Sequence, residues 1–235
     1  MYKSKSISLL ILIITLTISL VFLSHWAKEI ILFKNLPKKI NSQIFYQAIS
    51  VFGTIIFLFI LRYTKKTTFK EYFQKGNVSA EILPEPTIGI KPKAKENWLH
   101  LGINFSVIIS GVTAIVIYFQ LLKGAGIAIG DVLNILPYSI VFALSNSFVE
   151  ESITRLGVVV VFKNILKDRS IPFVSAIVFG TVHYWGNPGG ILGVIVAGFL
   201  GWFLTKSILE TKGIFWAWFI HFLQDVIIIS ALLSI

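Results

Sequence analysis

The sequence contains no cysteine. That excludes a disulfide framework, a thiolate zinc site and a cysteine nucleophile, and leaves the redox compartment open. Charge is scarce too, at 14% of residues against about 25% in a soluble domain whose surface must be wetted. There is no Gly-x-Ser-x-Gly elbow, no Gly-rich phosphate loop, no His-Glu-x-x-His helix, and no internal repeat or low-complexity tract. What fills the 235 residues instead is apolar: 55% of the chain, with a mean hydropathy of +0.82. This composition predicts an all-α, polytopic membrane helix bundle. The net charge of +10 then reads as loop charge facing the cytosol, not as a nucleic-acid site.

A helix needs about 20 largely apolar residues to cross the hydrocarbon core. Runs of that kind place spans near 7–24, 43–61, 101–122, 134–162, 171–186, 190–205 and 213–235, seven in all. The fourth is too long for one straight crossing, so it is tilted or broken near 145–147, which would make an eighth short helix. Gly186-Asn187-Pro188-Gly189-Gly190 reads as a tight turn between the fifth and sixth. The first run follows Lys3 and Lys5 but ends at Ser24-His25-Trp26 with no small-x-small cleavage signal, and so reads as an uncleaved span. With the N-terminus in the cytosol, fifteen loop Lys and Arg residues fall on that side and five on the other, which favours N-terminus in and C-terminus out. Residues 62–98 read as a cytosolic loop, in which the sequon Asn77-Val78-Ser79 is a chance match. The expected organisation is residues 1–100 as N-terminal spans plus cytosolic loop, and 101–235 as a helical core in one integrated membrane domain. The Cys-free, Lys- and Ile-rich composition suits a multi-pass protein of a bacterial cell membrane.

A charged group at the bilayer centre costs on the order of 2.5–3.5 kcal/mol. The first three spans and the sixth carry no charged or histidine residue away from their ends. The fourth, fifth and seventh carry Glu150, Glu151, Arg155, His183, His221 and Asp225. Glu150 lies 13 residues from Lys163, His183 14 from Arg169, and His221 and Asp225 lie 9 and 13 from Lys212. At about 1.5 Å per residue, all four sit roughly 14–21 Å from the cytosolic ends of their helices. One shared cavity explains that alignment; scattered helix-end residues do not.

Spacing divides the six by role. Glu151 and Arg155, four apart on one helix, form an expected ion pair that supports the helix. Glu150 points about 100° away from that pair and is free to act as general base or acid. His221 and Asp225 share a face, so the carboxylate can orient the imidazole, or both can hydrogen-bond a substrate. His25 and His100 are interfacial anchors, and Trp202, Trp216 and Trp218 fit an aromatic belt. Gly189, Gly193, Ala197 and Gly201 form a small-residue stripe for close helix packing. The natural use of the polar set is amide hydrolysis by an activated water. Glu150 would take the water's proton, His183 would hold or polarise that water, and His221 with Asp225 would stabilise the oxyanion.

Three segments occur in order: Glu150-Glu151-Ser152-Ile153-Thr154-Arg155, Phe179-Gly180-Thr181-Val182-His183 and His221-Phe222-Leu223-Gln224-Asp225. They resemble the Glu-Glu-x-x-x-Arg, Phe-x-x-x-His and His-x-x-x-Asn/Asp motifs of the CAAX protease and bacteriocin-processing (CPBP, or Abi) family, over about residues 130–235. The resemblance implies a membrane-embedded endopeptidase with Glu150 and His183 activating water and His221 with Asp225 forming the oxyanion site. It also implies a peptide or membrane-associated protein substrate within the lipid bilayer. Members are often labelled metalloproteases, and Glu150, His183 and His221 could ligate zinc; a metal-free mechanism is equally compatible. Thr154 stands where the family usually has an aromatic, and Leu156 where a glycine is usual, which touches packing more than chemistry. Two alternatives accompany the protease reading: a catalytically inactive bacteriocin-immunity or scaffold member, and a proton-coupled transporter using Glu150, His183 and Asp225 as relays. The transporter should show broken helices in both halves of the chain, whereas the charged residues fall only in the C-terminal half.

Overall fold

The apolar runs fold as helices in a computed structural model that describes residues 2–127 and 129–235, with side chains at 2–4, 87 and 129 excepted. Lys3, counted above among the cytosolic charges, therefore has its side chain outside the described residues. The order is α1 (Tyr2–Ala27), α2 (Lys38–Thr64), the short α3 (Lys66–Tyr72), α4 (Trp98–Ile117, prolonged by a π turn over Tyr118–Leu122) and α5 (Ile129–Glu150). A π turn over Glu151–Leu156 joins α5 to α6 (Gly157–Phe162), and α7 (Ile171–Val182), α8 (Gly190–Thr211) and α9 (Phe215–Ser234) follow. Asn97 caps α4 by accepting from the Leu99 and His100 amides. The fold is an all-α polytopic bundle in which α5 packs along α9 and α7 along α8.

Two expectations about the spans are revised. Among the described residues, six helices are long and apolar enough to cross a membrane, not seven. The predicted fifth span is α7, whose 12 residues cover roughly 18 Å of a hydrocarbon core about 30 Å thick. The chain then tightens into a 3-10 turn over His183–Trp185 and doubles back, so α7 is the short arm of a hairpin with α8. The long fourth span, 33 residues from Gly130 to Phe162, is interrupted at Glu151–Leu156 and not near 145–147.

Residues 73–97 are not a free loop but a strap across the ends of α8 and α9. The Asn77 amide donates to Thr211 O (2.8 Å), the Ile214 amide to Gln74 O (2.9 Å) and the Trp216 indole to Val78 O (2.9 Å). The approach is close enough that a Cβ on Gly213 would lie 2.3 Å from the backbone of Lys75 and Gly76. Asn77 turns its own carbonyl oxygen to the Ser79 amide, which gives it a structural role in this turn. Beneath the strap Lys206 and Glu210, both almost fully buried, pair with each other. Glu210 also accepts from the Trp98 indole (2.8 Å) and the Leu83 amide (3.2 Å), while Lys206 donates to Leu83 O (2.8 Å). Trp98, Trp202 and Trp216 are consequently core residues, and for Trp202 and Trp216 this overturns the aromatic-belt reading.

These contacts gather the basic segments at one end of the bundle. Lys65 donates to Ser6 Oγ (2.9 Å), Lys212 pairs with Glu71 (3.2 Å), and Arg169 lies 3.9 Å from Glu85. The opposite end holds the Glu29–Lys38 pair at 3.5 Å and Lys39 bonded to the carbonyl of Ile235.

Candidate active site

Two carboxylates adjacent in sequence leave the helix about 100° apart and reach different places, and the π turn begins at the second of them. The Thr154 hydroxyl donates to Glu150 O (2.6 Å), and the Gly157 amide bonds Ser152 O five residues back. Such turns inside helices occur frequently at functional sites. On one face Glu151 and Arg155 are fully buried and lie 3.3 Å apart. The guanidinium also donates to Thr154 Oγ1 (2.7 Å) and rests 3.3 Å from the centroid of the Phe179 ring, a cation–π contact. Thr154 thus takes part in holding the arginine. On the other face Glu150 turns into the cavity.

His221 of α9 stands between the two glutamates. Its Nδ1 lies 2.7 Å from Glu151 Oε1, while its Nε2 faces Glu150 Oε2 at 3.6 Å and Asp225 Oδ1 at 3.5 Å. Glu151 therefore does more than brace the helix, because it also fixes the imidazole. His183 ends α7, and its Nδ1 lies 2.8 Å from Phe179 O. A carbonyl only accepts, so Nδ1 carries the proton and Nε2 stays available. The Phe179 ring packs against both histidines, with centroids 4.1 Å from His183 and 5.7 Å from His221.

Asn146 was not singled out from the sequence. Its amide donates to Glu150 Oε1 and to Asp225 Oδ2, both at 3.1 Å, joining α5 to α9 across the site. An uncharged amide in an apolar run four residues before Glu150 was the available signal. Several buried polar atoms lack any hydrogen-bond partner within the protein: Glu150 Oε2, Glu151 Oε2, and Arg155 Nε and Nη2.

Glu150, His183, His221, Asp225 and Asn146 line one cavity of about 610 Å³. Its walls come from α1, α2, α4, α5, α7, α8 and α9, so the N-terminal helices belong to it as well. On α2, a stripe of Gln43, Tyr46, Gln47, Ser50 and Thr54 turns inward, of which Gln43 and Tyr46 reach the cavity. A search for charged residues passes over such a stripe.

The small-residue stripe of α8 serves this site indirectly. A Cβ at Gly193 would lie 2.6 Å from His183 O and 2.1 Å from Pro188 O, and one at Gly201 would lie 3.2 Å from the Ala176 backbone. The stripe lets α7 lie close enough to set His183 against the cavity. For a metal, Glu150, His183 and His221 do not fit: among the described residues no three His, Asp or Glu side chains converge as a ligand set. The histidine Nδ1 atoms are directed at Phe179 O and Glu151, which fixes the orientation of both rings.

Fold and cavity together define a membrane-embedded helical protein with a buried glutamate–histidine centre. Residues 132–227, from α5 into α9, match the family described as type II CAAX prenyl endopeptidase Rce1-like, in agreement with the CPBP resemblance of the three motifs. No curated protein and no solved structure matches the chain.

Proposed function

We propose that the chain is an intramembrane endopeptidase that hydrolyses a peptide bond with a water activated by Glu150. The observation that carries this reading is Glu150 Oε2, buried at the cavity wall without a hydrogen-bond partner and 3.6 Å from His221 Nε2. A carboxylate oxygen held in that state is available to take a proton.

Glu150 accepts a proton from the water, and His183 Nε2 accepts the water's other hydrogen bond and aims it. The hydroxide attacks the carbonyl carbon. His221, braced at Nδ1 by Glu151, donates from Nε2 to the developing oxyanion, with Asp225 and Asn146 holding that end of the site. Glu150 then returns the proton to the departing amine, so atoms and charge balance over the cycle. Every group in this scheme belongs to the protein, and no step passes through a metal.

Cleavage of a peptide library by the purified protein in detergent or lipid tests the reading. Wild type should turn over a subset of peptides, and Glu150→Ala and His183→Ala should lose at least about 100-fold, in the range for general acid–base groups. A chelator should leave turnover unchanged, as the donor geometry implies. Equal turnover by all three proteins rules out the assignment.

A further inference from the structure

We infer that α2 is the substrate-reading wall of the cavity, with the Tyr46 hydroxyl and the Gln43 amide hydrogen-bonding the main chain of a bound peptide; this rests on the protease reading above. Both residues lie on the inward stripe of α2 and line the cavity that holds Glu150, Asn146 and Asp225. The packing of α2 against α5 sets this face beside the helix that carries Asn146 and Glu150.

A peptide in an apolar cavity has main-chain N–H and C=O groups that cost free energy if left unpaired. The α4 and α8 walls offer mostly aliphatic and aromatic surface, including Ile108, Val112, Ile195 and Phe199. On α1, the hydroxyls of Thr17 and Ser24 donate to carbonyls of their own helix. Gln43 and Tyr46 are not so engaged: Gln43 Oε1 accepts a long bond of 3.4 Å from Gln47, and neither the Gln43 NH2 nor the Tyr46 hydroxyl donates within the protein among the described residues. A phenol and an amide on one helical face, three residues apart, can pair with successive main-chain groups of an extended strand. The same placement gives the N-terminal spans, which lie outside the matched family segment, a part in substrate choice.

The test measures binding and turnover separately. A fluorescein-labelled pool of uncharged peptides is titrated by anisotropy into Glu150→Gln, Glu150→Gln/Tyr46→Phe and Glu150→Gln/Tyr63→Phe in the same detergent. Tyr46→Phe keeps the ring and removes only the hydroxyl, and Tyr63, 90% exposed on the same helix, is the control. Loss of one neutral hydrogen bond should weaken affinity by about 3- to 10-fold, with no change for Tyr63→Phe. Gln43→Leu in the Glu150→Gln background should act in the same direction. Equal affinity with and without the Tyr46 hydroxyl, or no binding to Glu150→Gln at all, overturns the inference. In the cleavage assay Tyr46→Phe should raise KM more than it lowers kcat. Cleavage with an unaltered KM overturns the inference and leaves the protease reading intact. Tyr46-dependent binding without any cleavage by wild type overturns the protease reading and supports this inference.

Discussion

Two buried ionic clusters lie in this bundle, and they differ in one respect. Under the strap, Lys206 and Glu210 meet indole, backbone amide and backbone carbonyl groups, and no atom of either is orphaned. Around His221, Glu150 and Glu151 each keep one oxygen without a hydrogen-bond partner, and Arg155 keeps two nitrogens. Burying a charge is tolerable only when its hydrogen-bonding capacity is met. The first cluster meets that condition and reads as architecture. The second leaves it partly open, and one of the open positions, Glu150 Oε2, belongs to a residue that lines the cavity. Incomplete satisfaction, more than burial or charge, separates the second cluster from the first.

The contrast can be broken by mutation. Glu150→Gln should abolish turnover, by about 10³-fold or more if the carboxylate is the base, with a melting temperature close to wild type. A large fall in melting temperature instead would make Glu150 structural. Glu210→Ala should do the reverse. It strands Lys206 in the interior and should cost about 3–5 kcal/mol in denaturant titration, with turnover per folded molecule retained. Lost turnover in a fully folded Glu210→Ala protein would erase the distinction between the clusters. Glu151→Gln should fall between the two, because it touches both His221 and Arg155. We expect kcat down about 10- to 100-fold, in the range for lost support of a functional side chain, together with a measurable loss of stability.

The smallest effect belongs to an exposed pair. Asp168→Asn removes the Lys163–Asp168 bridge (2.6 Å), in which Asp168 is 60% exposed, and should change stability by no more than about 1 kcal/mol. Burial disfavours the Lys163 ammonium, but its hydrogen bond to Asp168 and the nearby Tyr72 outweigh that and hold its pKa above the ordinary lysine value. A raised pKa contributes stability below the unfolded value of about 10.4 and loses it as pH rises through the folded value. The difference between wild type and Asp168→Asn should therefore vanish in strongly alkaline buffer. A difference that persists there would mean that Asp168 acts other than through this charge.

The sequence made much of this legible because membrane placement makes charge conspicuous. Glu150, Glu151, Arg155, His183, His221 and Asp225 stand out by their cost, and the structure brings Glu150, Glu151 and Asp225 each within 3.6 Å of His221. What stayed hidden was neutral. Asn146, Gln43 and Tyr46 carry no charge and add little to the apparent cost of a span, so composition passes over them. The length of α7 was misread because Tyr184 and Trp185 extend its apolar run past the point where the backbone has already turned. Nothing local shows that residues 73–97 fold back over Trp216, so sequence alone places it in an aromatic belt.

The π turn at Glu151–Leu156 sets the phase of everything after it. Were the same residues to close into regular α geometry, those after the turn would be rotated by about 100° relative to those before it. Arg155 would then turn away from the Phe179 ring. Glu150 and Glu151 are chemically the same side chain, and what sets them apart is the roughly 100° between neighbouring positions on a helix. The residue count between Glu151 and Gly157 is thus as much a part of the site as the side chains it carries.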